Sequence, residues 1–173
     1  SALILLGQGC AIGAAKRRDM KKFTLVGLAI GLAAVGYADG VVLNPVADNR
    51  LLSFNPGGND NAEGLSAFAA NGNIQRSAIL FDFTSLTGLT INSATLRLRG
   101  ASYFDGLGAM SIDFYRLTSS WSETESSWNS STTGSPWVHP GGDAVGTTGN
   151  QLSDPYGHWA GNGVNTPQWF EFD

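Results

Sequence analysis

The chain has 173 residues, enough for one domain of ordinary size, and its composition is rich in glycine and aromatic residues. This composition favours a turn-rich all-β protein over a helical one. From Asp39 onward, five arginines, no lysine and thirteen acidic residues give a net charge of −8. Without a basic stripe, this part of the chain is a poor match for nucleic acid and for anionic lipid, so we expect neither as a partner.

Residues 20–38 have the pattern of a secretory signal peptide. Two lysines follow the methionine, an apolar run covers residues 23–35, and small residues stand at Gly36 and Ala38. An uncleaved membrane anchor is the alternative, but the apolar run is shorter than the ~20 residues that a membrane span needs. We therefore expect cleavage after Ala38 and no membrane insertion afterwards.

This pattern divides the chain into three parts. Residues 1–19 are expected to be an upstream, non-native extension, residues 20–38 the signal peptide, and residues 39–173 the exported domain. We expect residues 1–38 to pack poorly against that domain. The single cysteine, Cys10, lies outside it, so the exported domain has no disulfide framework.

The first strands of the domain precede a polar loop. Residues 41–54 predict one or two short strands interrupted near Pro45, which suits an edge position, and residues 55–64 form a glycine- and asparagine-rich loop. Oxygen-bearing side chains in this loop are weak candidates for calcium ligands. The candidates are Asn59, Asp60, Asn61 and Glu63. An EF-hand loop beginning at Asn59 needs a glutamate where Ala70 stands, so a plain turn is the favoured alternative.

The central prediction concerns residues 76–99. Apolar residues fill both faces of the first half, which indicates a strand near the middle of a sheet, while the second half alternates apolar and polar residues and has one wet face. Another strand is expected at residues 110–117, and short strands near 126–128 and 168–172. The expected core consists of Ile79, Phe81, Phe83, Ala94, Leu96, Leu98, Ile112 and Phe114.

Signatures of catalysis are absent from the sequence. It has no Gly-x-Ser-x-Gly elbow, no phosphate-binding glycine loop and no His-Glu-x-x-His. A glycosidase needs two carboxylates, for which Glu123 and Glu125 are the nearest pair. We interpret them as surface residues, with Glu123 orienting a neighbouring loop by hydrogen bonds. The chain is not expected to be an enzyme or to need a cofactor.

Four motifs resemble one known family. They are Asp-Asn-Arg-Leu (48–51), Ala-Ile-Leu-Phe-Asp-Phe-Thr-Ser-Leu (78–86) followed by Thr-Ile-Asn-Ser-Ala-Thr-Leu-Arg-Leu (90–98), the tryptophan-rich 114–129 segment, and 135–143. Together they resemble DNRLRE-type domains, secreted bacterial and archaeal β-sandwiches that include carbohydrate-binding modules. The resemblance covers residues 41–173 and implies an all-β antiparallel sandwich or jelly roll. It also implies a further strand after residue 172, so the domain is expected to be truncated at its C-terminus.

The resemblance implies a non-catalytic module, secreted or at the cell surface, that binds polysaccharide. Two alternatives remain. One is a structural or adhesive module whose aromatic residues serve only packing; the other is an accessory domain of a larger polysaccharide-degrading enzyme. The glycan and the oligomeric state are left open by the sequence.

Two candidate surfaces for glycan contact follow from the pattern of aromatic and polar residues. Exposed tryptophans stack on the apolar faces of sugars, and nearby polar groups pair with hydroxyls. The first surface comprises two loops with Trp137, His139, Asp143, Tyr156, His158, Trp159 and Asn162. The second surface is the pair Arg97 and Arg99, whose positive charge suits the acidic polysaccharides that the resemblance implies as ligands. The net charge of the whole domain instead favours neutral polysaccharides, unless a cation bridges the domain and an acidic chain.

Overall fold

The computed structural model describes residues 2–9, 24–31, 40–61, 64–100, 109–162 and 168–172, which are almost entirely strand and loop. Their strands are β1 (Ala2–Gly9), β2 (Thr24–Gly31), β3 (Gly40–Leu43), β4 (Pro45–Leu52), β5 (Phe68–Ala70), β6 (Asn73–Phe81), β7 (Ser93–Gly100), β8 (Ala109–Leu117), β9 (Ser130–Thr132), β10 (Ser135–Pro136), β11 (Ala144–Val145), β12 (Gly157–Asn162) and β13 (Gln168–Phe172). A single 3-10 turn, Thr84–Leu86, is the helical element of the described part. No helix in these ranges has the length and hydropathy of a membrane span.

Two antiparallel sheets make up most of the fold. The larger sheet has the strand order β11-β8-β1-β6-β4, with β12 also paired to β8 and β5 also paired to β6. The smaller sheet has the order β13-β7-β2-β3, and β9 and β10 form a short separate ribbon. These pairings confirm the expected all-β antiparallel sandwich.

The first core lies between the two sheets. Ile79 and Phe81 of β6 pack there with Leu96 and Leu98 of β7, and Phe170 of β13 is fully buried among them. This confirms most of the predicted core, because alternate residues of each strand face the opposite sheet. The rest of the prediction has mixed outcomes: Phe83 and Phe114 are partly buried against the core, Ile112 is buried, and Ala94 is exposed. For Ala94 the prediction was wrong, because the inner face of β7 is buried only from Leu96 onward.

A second core covers the outer face of the larger sheet. Ala78 of β6 and Tyr115 of β8 are buried there against Trp137 and Ala144 of the long 118–152 region. This second layer explains why β6 is apolar on both faces, as a strand covered on both sides must be. The serine- and tryptophan-rich loops therefore cover the sheet.

Strands β1 and β2 are interior strands of the two sheets. Residues 2–9 pair with β6 on one edge and with β8 on the other, and residues 24–31 pair with β7 and β3. The expectation that residues 1–38 pack poorly against the sandwich was therefore wrong for these two segments. Both segments are apolar and eight residues long, and each lies between two strands. Their backbone N–H and C=O groups therefore find hydrogen-bond partners on both sides, which accounts for their position.

Candidate functional site

The outer face of the smaller sheet brings together cationic and aromatic side chains. Alternation along β7 buries Leu96 and Leu98 and leaves Arg97 and Arg99 exposed. Alternation along β13 buries Phe170 and Phe172 and exposes Trp169 and Glu171. The antiparallel register sets Trp169 opposite Arg99 and Glu171 opposite Arg97. We call these four residues the β7–β13 face.

Arg97 is the centre of this face. Its guanidinium carbon lies 4.9 Å from the centroid of the Trp169 ring, and its Nε donates to Glu171 Oε1 at 2.7 Å. Both members of this ion pair are about half exposed, so the pair contributes little stability. The pair holds the Arg97 guanidinium on the same side of the sheet as the Trp169 ring. Arg99, on the same face, is exposed, and no ion pair involves it among the residues that the structure describes.

Trp169 was missed as a site residue in the sequence interpretation. It is 42% exposed, whereas Trp137 is buried and Trp159 is half-buried. The pattern Gln-Trp-Phe-Glu-Phe does predict a strand with Trp169 and Glu171 on one face. The sequence does not show which strand lies beside it, and the register with β7 is what joins Trp169 to the arginines.

The loop surface lacks the exposed tryptophans that we expected there. Trp137 is 5% exposed, packs in the second core and donates its indole N–H to the Ser127 carbonyl at 2.9 Å. Trp159 packs against the first core, edge-on to the Phe170 ring at 4.7 Å between centroids. The Trp137 ring is therefore buried away from any sugar, and the Trp159 ring is partly covered by the first core. The Asn162 side chain lies outside the described residues.

Asp143 has a structural role in the loop around His139. Its carboxylate accepts hydrogen bonds from the His139 backbone N–H at 2.8 Å and from the Ser119 hydroxyl at 2.8 Å. Burial raises the pKa of this carboxyl, but the hydrogen bonds, together with one from the Val138 N–H, outweigh burial and hold the pKa below its usual value. The buried carboxylate fixes the loop rather than facing a ligand.

Three candidates of the loop surface do reach solvent. Tyr156 is 40% exposed, and the side chains of His139 and His158 are more than half exposed. His158 Nδ1 lies 2.5 Å from Asp113 Oδ1 across the β12–β8 pair. These residues keep the loop surface as a second, less aromatic candidate.

Two side chains of the polar loop that suggested calcium, Asp60 and Asn59, have partners within the protein. The Asp60 carboxylate forms an ion pair with Arg50 at 2.5 Å, and the Asn59 amide donates to the carbonyls of Glu123 and Ser126. Asn61 is exposed, and Glu63 lies outside the described residues. Within the described ranges, no three potential metal ligands come together. A carboxylate paired with an arginine is a poor ligand, and this geometry favours the plain-turn alternative.

Two carboxylates meet between β4 and the 118–129 segment. Glu123 Oε1 accepts a hydrogen bond from the Asp48 backbone N–H at 3.2 Å, so the Glu123 side chain orients strand β4 rather than the neighbouring loop that we expected. Glu125 instead accepts from the Thr133 N–H at 3.1 Å. Burial, and then the Glu123 charge, raise the pKa of Asp48. These contacts give Glu123 and Glu125 separate structural roles and do not pair them across a cleft.

The raised pKa of Asp48 predicts a stabilising substitution. In the folded protein the ionised form of Asp48 is disfavoured, so its pKa lies above the unfolded value near 3.8. At a pH above the folded-state pKa, the ionised carboxylate lowers the stability of the fold. Below pH 3.8 the carboxyl is protonated in both states and this loss of stability disappears. We therefore expect Asp48→Asn to raise the melting temperature at pH 7 and to leave it unchanged at pH 3. Thermal melts at both pH values measure this, with Asp143→Asn, whose pKa shift has the opposite direction, as the control that destabilises at pH 7. A lower melting temperature for Asp48→Asn at pH 7 would contradict the assignment.

Comparison with known proteins gives one match. The family model of carbohydrate-binding module family 96 matches residues 57–135, slightly less than half of the chain. No curated protein and no solved structure matches. The matched range extends from the polar loop to the start of β10 and includes Arg97 and Arg99, while Trp169 lies beyond it. Over residues 57–135, therefore, this chain is similar to a carbohydrate-binding module.

Proposed function

We propose that this protein is an exported, non-catalytic module of the DNRLRE type that binds polysaccharide on the β7–β13 face. One observation carries the proposal: an exposed tryptophan and two exposed arginines lie side by side on neighbouring strands. The match to a carbohydrate-binding module family supports the ligand class. Its location is proposed to be outside the cell or on its surface.

The chemistry of the β7–β13 face suits a sugar chain. The Trp169 indole offers an apolar surface for the C–H face of a sugar ring. Arg97 and Arg99 offer planar donor groups that reach hydroxyl or carboxylate oxygens. The side chains project from paired strands rather than from loops, so their spacing is held by the sheet.

Charge on this face differs from that of the domain as a whole. Of the arginines in the exported domain, Arg50 and Arg76 are buried, so the β7–β13 face holds two of the three exposed ones. Glu171 offsets one of these charges, and the local balance remains positive within a domain of net charge −8. A uronate-containing chain therefore fits this face better than a neutral chain does.

Affinity electrophoresis through gels containing neutral or uronate polysaccharides tests the proposal. We expect retardation of the wild type by uronate gels, weaker retardation at higher salt, and loss of retardation in the Arg97→Ala/Arg99→Ala variant. Arg116→Ala is the matched control, because Arg116 is also exposed but lies on β8 of the other sheet. Equal retardation of the double variant and the wild type would remove the β7–β13 face as the site.

A second candidate function has its own support. Trp121, Trp128, Trp137 and Trp159 all pack against the cores, as the aromatics of a structural or adhesive module would. This alternative predicts no retardation by any glycan in the gels above while the protein is folded. An accessory role in a larger polysaccharide-degrading enzyme is compatible with the same glycan binding.

Export is part of the proposal and is tested separately. We expect exported protein to begin at Asp39, because Gly36 and Ala38 fit the small-residue pattern of signal-peptide cleavage. N-terminal sequencing of protein recovered from outside the cytoplasm measures this. Recovery of exported material that still contains Phe23 would show that the segment is retained.

A further inference from the structure

The β7–β13 face carries its own carboxylate beside its central arginine. Glu171 and Arg97 are directly opposite residues of the antiparallel β13–β7 pair, and Arg97 Nε donates to Glu171 Oε1 at 2.7 Å. Side chains of directly opposite residues meet without any distortion of the strands. The sheet register therefore places an acidic group at the cation that is proposed to bind an acidic sugar.

This contact can open while the strands stay in place. The side chains of Arg97 and Glu171 are 45% and 52% exposed, and an exposed ion pair contributes little stability. On either side of Glu171 along β13, Phe170 and Phe172 are buried in the core between the sheets, so the strand is anchored independently of the ion pair. Rotation of the Glu171 side chain is therefore enough to release Arg97.

The chemistry of the contact decides which ligand groups can replace Glu171. A carboxylate on a sugar accepts the same charge-assisted hydrogen bond from Arg97, so the exchange replaces one ion pair by another. A hydroxyl is an uncharged acceptor and forms a weaker hydrogen bond, so that exchange loses the ion pair. Arg97 also lies over the Trp169 ring, 4.9 Å from its centroid, so a carboxylate that reaches Arg97 brings its sugar to the indole.

We propose that Glu171 is an intramolecular competitor of the ligand: its carboxylate occupies Arg97 in the free protein and is displaced by the carboxylate of an acidic sugar. The inference rests on the proposed binding of polysaccharide to the β7–β13 face. Binding of an acidic chain then includes the separation of Glu171 from Arg97. The apparent affinity is therefore reduced by the fraction of molecules in which Arg97 is occupied.

Carbon-13 NMR of the full chain, labelled at the side-chain carboxyl of glutamate, reports the displacement directly. The Glu171 signal is identified by its absence from the spectrum of Glu171→Gln. The probe is a trisaccharide of galacturonate, and the control ligand is the same trisaccharide with its carboxylates methyl-esterified. We expect the acidic trisaccharide to shift the Glu171 signal and the ester to leave it unmoved, since the ester cannot replace the charge of Glu171 on Arg97.

Titration calorimetry with the acidic trisaccharide measures the effect on affinity. Glu171→Gln keeps the size of the side chain and removes its charge, so we expect it to bind about fivefold more tightly than the wild type. Glu125→Gln is the matched control, because Glu125 is also exposed and also accepts a hydrogen bond, but lies in the 118–152 region. Its affinity is expected to change by less than about twofold, since solvent and salt screen distant charges.

The outcomes separate the competitor role from polysaccharide binding itself. Binding of the acidic trisaccharide without a shift of the Glu171 signal would overturn the inference and leave polysaccharide binding in place. A gain in affinity for Glu171→Gln no larger than that for Glu125→Gln would do the same. Binding by Glu171→Gln but not by the wild type would support the inference, whereas absence of binding by both proteins would contradict the proposed uronate site and the competitor role with it.

Discussion

Replacement of Phe81 by alanine is expected to lower the free energy of unfolding by about 3–5 kcal/mol. Phe81 is 4% exposed, belongs to the core between the sheets, and has its ring 6.4 Å from that of Phe83. Removal of the ring takes away buried apolar surface and leaves a cavity that the two paired sheets cannot close. Urea denaturation of the two proteins, followed by tryptophan fluorescence, measures the loss.

The same chemical change at an exposed position is the control. Phe54 is 54% exposed, so Phe54→Ala is expected to change the free energy of unfolding by about 0.5 kcal/mol or less. Comparable losses at Phe81 and Phe54 would contradict the placement of the core. A Phe81→Ala protein that is unfolded without denaturant agrees with the prediction as long as Phe54→Ala remains folded.

Gly141→Ala is expected to destabilise the protein by about 2–5 kcal/mol. Gly141 has a φ of +85°, where an alanine costs ~1–2 kcal/mol. A Cβ at this position would also lie 2.7 Å from Arg76 Nη1 and 2.7 Å from the Trp128 ring, and such overpacking adds ~1–3 kcal/mol. Arg76 cannot move freely, because it is buried, lies over Trp128 at 4.9 Å and donates to the Gly141 carbonyl at 3.0 Å.

Substitution of Gly149 by alanine separates the backbone cost from the overpacking cost. Its φ is +79°, nearly the same as that of Gly141, but no atom lies within 4 Å of the position a Cβ would take. Gly149→Ala is therefore expected to show only the backbone cost of ~1–2 kcal/mol. Chemical denaturation of both variants gives the difference, which measures the packing between Arg76, Trp128 and the loop. Equal losses would show that this packing does not stabilise the second core.

The fold was largely predictable because it follows from local alternation. Residues 76–99 predicted one strand covered on both faces and one with a wet face, and β6 and β7 have those properties. The second core was not predictable in the same way. Nothing in the serine-rich composition of residues 118–152 indicates that its tryptophans cover a sheet, and the short strand expected near 126–128 lies instead at Ser130–Thr132.

The candidate site was predictable only in part, for a related reason. Arg97 and Arg99 were recognised because two cations alternate on one face of a strand. The loop sequence around Trp137 predicts an exposed ring, but the ring packs on the apolar outer face of the larger sheet and is buried there. Trp169 gained its place beside the arginines from strand register, which is a long-range property that a single sequence does not encode locally.

The most direct test of the account measures polysaccharide affinity after removal of the Trp169 ring. With a uronate polysaccharide that retards the wild type, titration calorimetry is expected to show binding about tenfold weaker for Trp169→Ala, a loss of about 1.4 kcal/mol. Tyr156→Ala is the matched control, because Tyr156 is 40% exposed, close to the 42% of Trp169, but lies in the other candidate surface. The affinity of Tyr156→Ala is expected to equal that of the wild type. Full affinity in Trp169→Ala together with a loss in Tyr156→Ala would place the glycan on the loops and contradict the β7–β13 face.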